Sequence, residues 1–150
     1  VAEGNANFWD AFELVPVSYG FWHEGLWFDV FPVRHHVPGT AWGICLQGSF
    51  LYTGDTRPIP ETVAQFADGL MPLVHDCDLH GNPSHTGLPD LLREYPAEHI
   101  RQMLVYHYAS ITDGAALAAA GLRVAKAGDR LPLPKPQPAA QAHAASAGAI

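Results

Sequence analysis

Three apolar stretches of this chain each deliver a histidine or an aspartate at the point where the stretch stops. They are Phe31-Pro-Val-Arg-His-His36, Leu51-Tyr-Thr-Gly-Asp-Thr56 and Met103-Leu-Val-Tyr-His-Tyr-Ala-Ser110. Short runs of β-branched and aromatic residues are typical of strands buried in an α/β layer, and functional groups gather at the carboxyl ends of such strands. The pattern predicts that His35, Asp55 and His107 form one metal site.

Composition limits the class of protein. The chain has 150 residues, of which 48% are hydrophobic, so it can form one domain with a core. Fifteen acidic residues against eight basic ones give a net charge of −7. This charge excludes a broad basic surface for a nucleic-acid backbone, although a metal site could still hold a nucleic acid locally.

Cysteine content and hydropathy indicate the compartment. Cys45 and Cys77 are too few for a disulfide framework or a cysteine-based zinc site, and we expect both to be small buried residues. The sequence has no apolar run of 18 residues, and its first residues lack the features of a signal peptide. We therefore expect a soluble, cytoplasmic protein with no membrane partner.

The order of the predicted elements indicates an α/β or α+β fold with a mixed sheet. Strands are predicted at 11–17, 26–34, 41–46, 49–53, 70–74 and 102–107, and helices at 58–67, 88–94 and 112–120. A helical turn is predicted at 96–100, and a closing hairpin at 122–124 with 130–133. Residues 1–133 would form the domain, and residues 134–150, rich in Pro and Ala, a mobile tail.

The candidate ligands include no thiolate. Imidazole and carboxylate groups suit zinc, manganese or iron and favour a hydrolytic metal site over a structural one. Asp55, freed by Gly54, could bridge two cations, but Gly-Asp is also common in turns without function. His36 is the alternative to His35. The alternation of Phe31, Val33 and His35 along one strand face favours His35 as the ligand.

Five motifs together resemble a known family. They are Pro32-Val-Arg-His35, Tyr52-Thr-Gly-Asp55-Thr, Leu73-Val-His-Asp-Cys77, Ser84-His85-Thr and Leu104-Val-Tyr-His107-Tyr. Their order and spacing over roughly residues 11–133 are similar to those of metallo-β-lactamase fold hydrolases, especially ribonuclease Z and its phosphodiesterase-like relatives. The resemblance implies half of an αββα sandwich, in which a mixed sheet carries helices on one face.

The resemblance also implies roles for individual residues. His35 would bind one metal and His107 a second, Asp55 would bridge the two, and a hydroxide between the metals would attack phosphorus. Asp76 would orient His85, which would protonate the leaving alkoxide. The implied cofactors are two divalent metal ions, zinc first and manganese or iron as alternatives. The implied substrate is a small phosphodiester or nucleotide, with a thioester, a lactone or a cyclic nucleotide as further options.

One family motif is absent. The His-x-His-x-Asp-His run, which supplies four ligands from the N-terminal half of the family fold, does not occur in this sequence. The chain therefore resembles a C-terminal half. Because it begins without Met, we expect a processed or truncated product.

The absence of that run leaves two hypotheses for function. The first is a metal-dependent hydrolase, a phosphodiesterase that is incomplete as this chain alone. An N-terminal half on another chain, or a second copy in a homo-oligomer, would complete the metal site. The alternative is a non-catalytic metallo-β-lactamase-like scaffold that binds a partner or ligand.

Overall fold

A seven-stranded mixed sheet forms the centre of the protein. The computed structural model describes residues 8–136, and the strands lie in the sheet in chain order. The strands are β1 Gly20–His23, β2 Leu26–Pro32, β3 Trp42–Leu46, β4 Phe50–Tyr52, β5 Leu73–Asp76, β6 Met103–Tyr106 and β7 Arg123–Val124. β1 to β4 pair antiparallel, whereas β4 to β7 pair parallel. The carboxyl ends of β4, β5 and β6 therefore meet at one edge.

Five helices connect or flank these strands. They are α1 Phe8–Ala11, α2 Pro60–Phe66, α3 Leu88–Glu94, α4 Ala97–Gln102 and α5 Ile111–Ala119. Pro60 and Pro89 stand in the first turns of α2 and α3, where the missing N–H costs nothing. Ser110 caps α5, since its side chain accepts a hydrogen bond from the backbone N–H of Asp113. The longest of these described helices has only 9 residues, so none of them can cross a membrane.

The two faces of the sheet differ in burial. Residues that share one face across β3 to β6 are fully buried, at 0% exposure: Cys45, Leu51, Leu73 and Met103. Val63 of α2, Leu91 of α3 and Leu117 of α5 belong to the same apolar cluster. The helices thus cover this face, and each fully buried aliphatic side chain contributes about 1.5–3 kcal/mol to stability.

The opposite face of the sheet is only partly covered. Its row across five paired strands consists of apolar residues that are half-buried or exposed: Val30, Ile44, Tyr52, Val74 and Leu104. We call this row the open face. A mixed sheet with helices on one face is the arrangement expected for half of a metallo-β-lactamase-like sandwich, and it confirms the predicted fold class.

The predicted strand at 11–17 is wrong. Residues 12–17 form neither helix nor strand, and Pro16 lacks the N–H that a ladder needs. The first strand is instead β1, which pairs with β2 through the two-residue turn Glu24-Gly25. Both turn residues have positive φ, at 48° and 77°, as in a type I′ hairpin.

The predicted hairpin at 122–124 and 130–133 is also wrong. β7 is two residues long and pairs parallel with β6, and residues 130–133 form no strand. Pro132 and Pro134 remove backbone donors from this segment. Leu131 and Leu133 instead line a cavity of about 250 Å³ against Tyr52 and Val74 of the open face. Residues 137–150, including most of the predicted tail and His143, lie outside the described residues.

Candidate metal centre

Three parallel strands deliver acidic and imidazole groups to one edge of the sheet. Asp55 follows β4, Asp76 is the last residue of β5, and His107 follows β6. Gly54 has a φ of 64°, so the turn that presents Asp55 uses a conformation that glycine adopts without strain. His107 has a φ of 70°, which is uncommon for a residue with a side chain and is often found at functional sites.

Four side chains converge at this edge. Asp55, Asp76, His85 and His107 each offer a ligand atom, and these atoms all lie within 4.8 Å of one another. Nε2 of His107 is 3.5 Å from Oδ2 of Asp55, and Nδ1 of His107 is 3.8 Å from Oδ1 of Asp76. The rings of His85 and His107 stack with their centroids 4.5 Å apart. A set of two carboxylates and two imidazoles can bind a divalent cation.

Asp76 is the buried centre of this group. Its Oδ2 accepts hydrogen bonds from Nδ1 of His85 at 2.7 Å and from the backbone N–H of Thr56 at 2.8 Å. Its Oδ1 is buried and has no hydrogen-bond partner among the described residues. Burial raises the pKa of Asp76, against the opposing effect of these hydrogen bonds.

The unpaired Oδ1 of Asp76 indicates whether these residues could hold a metal ion. An unsatisfied buried polar atom costs about 1–3 kcal/mol, and more when it is charged. A cation beside Oδ1, Asp55 and His107 would remove that cost. The donor set therefore fits a divalent metal ion.

The loop that carries His85 is fixed by hydrogen bonds. The Oδ1 atom of Asn82 accepts from the backbone N–H groups of Ser84 and His85 at 2.8 and 3.1 Å. Thr86 donates both its backbone N–H and its hydroxyl to the carbonyl of Thr56, at 2.9 and 2.8 Å. His85 is thus held in place from both sides of the loop.

His35 lies next to the four-residue group but is not one of its members. Its ring centroid is 4.8 Å from that of His85, and its Nδ1 lies 3.1 Å from the carbonyl oxygen of Ser84. If Nδ1–H donates to this carbonyl, Nε2 is left as the ligand atom, as is usual for metal-binding histidines. His36 is exposed with a φ of 50°, and its Nδ1 is 3.0 Å from Oγ of Ser84.

Four of the five predicted site residues are therefore in one cluster, and His35 is adjacent to it. Their roles as ligand, bridge, positioning residue and acid stay predictions. The hydrogen bond from the backbone N–H of Thr56 to Asp76 was not predicted from the sequence, because a backbone N–H has no sequence signature.

His75 supports the site from the buried side. Its Nδ1 lies 2.7 Å from the carbonyl oxygen of Asp76, and its Nε2 lies 2.7 Å from the hydroxyl of Tyr95. The Tyr95 hydroxyl in turn accepts the backbone N–H of Ile59 at 2.6 Å, so it donates its own proton to His75. Burial lowers the pKa of His75 to about 4, so the ring is neutral. The sequence motif Leu73-Val-His-Asp-Cys77 contains His75, but the contact with Tyr95 was not predicted.

Fold and site together define a metallo-β-lactamase-like half with a candidate metal centre at the edge of its sheet. The chain belongs to the family described as Anti-Pycsar protein Apyc1, whose model matches residues 1–130. The finer prediction of a ribonuclease Z-like branch is not established by this match.

One solved structure similar to this chain is described as a new diphosphatase from the PhnP family. It is 18% identical, with a TM-score of 0.62, and the match covers 81% of this chain and 50% of that one. At this identity the likeness shows the fold alone. The chain spans about half the length of that structure. No curated protein matches the chain.

Proposed function

We propose that this chain is part of a metal-dependent hydrolase that cleaves phosphodiesters. The observation that carries the proposal is that the two carboxylate oxygens of Asp76 have different surroundings. One carboxylate oxygen holds His85, while the other is buried, unpaired and 3.8 Å from Nδ1 of His107. A carboxylate placed between an imidazole acid and a cation site suits hydrolysis better than simple ligand binding.

The metal ligands proposed in this chain are His35, Asp55 and His107, with Asp55 as the bridge. Two divalent ions are proposed, with zinc first and manganese or iron as alternatives, because the donors are nitrogen and oxygen without sulfur. When bound, the metals would supply an activated water and neutralise charge on the phosphate group. Asp76 Oδ1 is the further oxygen that could contact a cation.

His85 is the proposed general acid. Its Nδ1–H donates to Asp76, which fixes the ring and leaves Nε2 to deliver a proton to the leaving alkoxide. Its side chain is only 16% exposed, so few competing water contacts surround it. Asp76 acts as a positioning residue in this scheme, and the backbone N–H of Thr56 holds Asp76 in turn.

Phosphate esters are the favoured substrate class. The similar structure is described as a diphosphatase, and the paired motifs around His75-Asp76 and Ser84-His85 resemble those of phosphodiesterases. The net charge of −7 disfavours a long nucleic acid, because its backbone needs compensating cations. A small phosphodiester or nucleotide, including a cyclic nucleotide, is the proposed substrate.

The remaining ligands are proposed to come from residues outside this sequence, on the same polypeptide or on another chain. Two observations support this. The open face is a row of partly exposed apolar residues next to the site, which a second half would cover. The chain also spans half of the similar structure. A second copy in a homo-oligomer is the other source of the missing residues.

A non-catalytic scaffold is the second candidate, because the sequence has no His-x-His-x-Asp-His run. Metal binding separates the two candidates. Isothermal titration of the assembled protein with zinc or manganese chloride should show binding at the centre. Lack of binding in the presence of every partner chain would favour the scaffold.

The activity test uses bis(p-nitrophenyl) phosphate and the variant Asp55→Ala. Metal content and turnover should both fall in this variant, because the proposed bridging carboxylate is lost. Asp129→Ala is the matched control, since Asp129 is exposed and its side chain accepts a hydrogen bond from the backbone N–H of Lys126, away from the candidate metal centre. Wild-type turnover in Asp55→Ala would remove the bridging role.

A further inference from the structure

A second cavity, of about 380 Å³, includes His85 in its lining. Three arginines line it together with His85 and Asn82: Arg34, Arg57 and Arg93. We call it the arginine cavity. The chain has only eight Lys and Arg residues, and three of them line this one cavity, beside the carboxylates of Asp90 and Glu94. Its volume is in the range of small-molecule sites, about 300–1,000 Å³.

Two of the three arginines are already neutralised. Arg34 forms a salt bridge with Glu61 and donates from Nη1 to the carbonyl of Pro58 at 2.8 Å. Arg93 forms salt bridges with Asp90 and Glu94 at 2.6 and 2.7 Å. These pairs define the walls of the cavity but leave little free charge for a ligand.

Arg57 is different. It forms no salt bridge within residues 8–136, and its side chain donates only from Nε to the carbonyl of Arg34 at 3.4 Å. Its terminal nitrogens thus remain available on the cavity wall. A guanidinium in this state is suited to bind a phosphate group through two parallel hydrogen bonds.

The backbone of Arg57 is fixed to the candidate metal centre. Its N–H donates to the carbonyl of Arg34 at 2.9 Å, and its carbonyl accepts the hydroxyl of Thr56 at 2.7 Å. The backbone N–H of Thr56 donates to Asp76 Oδ2, the same atom that holds His85. The Asp76 carboxylate therefore contacts both His85 and Thr56, the residue that precedes Arg57.

We propose that Arg57 is a substrate-binding residue that holds a phosphate oxygen of the phosphodiester in the arginine cavity. This inference rests on the proposed function, in which His85 protonates the leaving oxygen. Because His85 also borders the cavity, the substrate atoms beyond the leaving oxygen lie next to Arg57. The phosphate oxygen can belong to the scissile phosphate or to a neighbouring phosphate on the leaving side.

The test compares Arg57→Ala and Arg57→Lys with wild type in the assembled, metal-loaded protein. A hydrogen bond to a charged group contributes enough that Arg57→Ala should raise KM about 10- to 100-fold, with a smaller change in kcat. Arg57→Lys should recover part of the loss, because it keeps the charge but not the paired geometry. Arg130→Ala is the control, since it removes the same charge from an exposed residue that does not line the cavity.

Two substrates distinguish the two phosphate sources. Bis(p-nitrophenyl) phosphate carries only the scissile phosphate, whereas the dinucleotide pTpT carries a second one. A rise in KM for both substrates assigns Arg57 to the scissile phosphate, and a rise for pTpT alone assigns it to the neighbouring phosphate. An unchanged KM for both, or an equal change in Arg130→Ala, overturns the inference.

A binding measurement separates this inference from the proposed function. Metal-free protein is titrated with 5′-AMP and followed by NMR, in wild type, Arg57→Ala and Arg130→Ala. If wild type hydrolyses neither substrate, the proposed function fails. Weaker 5′-AMP binding in Arg57→Ala alone would still support the phosphate contact, and equal binding in all three proteins would refute it.

Discussion

The Oδ2 atom of Asp76 lies 2.7 Å from Nδ1 of His85, nine positions later in the sequence. Asp76 is fully buried, whereas His85 is partly exposed toward the arginine cavity. This pair connects the end of β5 to the loop that borders both the candidate metal centre and the proposed substrate cavity. It therefore determines the orientation of the imidazole.

Asp76→Asn should lower kcat for bis(p-nitrophenyl) phosphate by about 10²-fold or more, because His85 loses its negatively charged partner. Zinc affinity should also fall, by about 10- to 100-fold. Steady-state kinetics and metal titration of the assembled protein measure these effects. Asp129→Asn, at an exposed position, is the control.

The stability of metal-free Asp76→Asn separates a functional from a structural role. Burial raises the pKa of Asp76, so its charged form is disfavoured in the folded chain. Removing the charge should leave the metal-free protein at least as stable as wild type in urea unfolding. A large loss of stability with normal turnover would show that Asp76 serves the fold and not the reaction.

His75 should make stability depend on pH. Its pKa is about 4 in the folded chain, below the ordinary value of 6.5 that applies to the unfolded chain. Between these values the unfolded chain binds more protons, so the free energy of unfolding rises with pH. The contribution is complete above pH 6.5, is lost as pH falls toward 4, and amounts to about 3 kcal/mol.

Urea unfolding at several pH values, in the presence of a chelator, measures this dependence. His75→Gln removes the titrating ring and should flatten the curve between pH 6.5 and 4. Asp76, whose pKa is raised in the folded chain, titrates with the opposite sign and is retained in the variant, so the difference between the two curves reports the His75 ring. Identical slopes in the two proteins would contradict the assignment.

The location of the candidate site at one edge of the sheet could be predicted from the sequence, because parallel strands place their carboxyl ends together. Asp55 and His107 follow β4 and β6, and both were recognised from the apolar runs that precede them. Leu51 and Met103 are buried on one face, as short apolar strands predict. Local patterns thus determine both the strands and the polar groups at their ends.

Contacts between residues that are far apart in the sequence could not be predicted in this way. Tyr95 reaches Ile59 across 36 residues and His75 across 20, and no periodicity marks such contacts. β1 was missed for a local reason: its turn places Glu24 at a positive φ, a conformation that glutamate rarely adopts. The turn therefore lacks the Asn-Gly or Asp-Gly signature that identifies a two-residue hairpin.

Cys45 and Cys77 should be unreactive in the folded protein. Both are fully buried, and burial raises the pKa of each thiol to about 12. At pH 8 the thiolate fraction is then on the order of 10⁻⁴, and the reagent has no access. DTNB should label neither thiol in native protein and both after unfolding in guanidinium chloride. Rapid labelling of the native protein would contradict the buried positions.

Tyr95→Phe should destabilise the protein without changing surface charge. The substitution leaves the buried N–H of Ile59 without its acceptor and Nε2 of His75 without its donor. An unsatisfied buried donor costs about 1–3 kcal/mol, so the free energy of unfolding should fall by that amount. Tyr19→Phe is the control, since the Tyr19 side chain is 84% exposed. Equal unfolding midpoints in urea for the two variants would show that the Tyr95 hydroxyl contributes nothing to the fold.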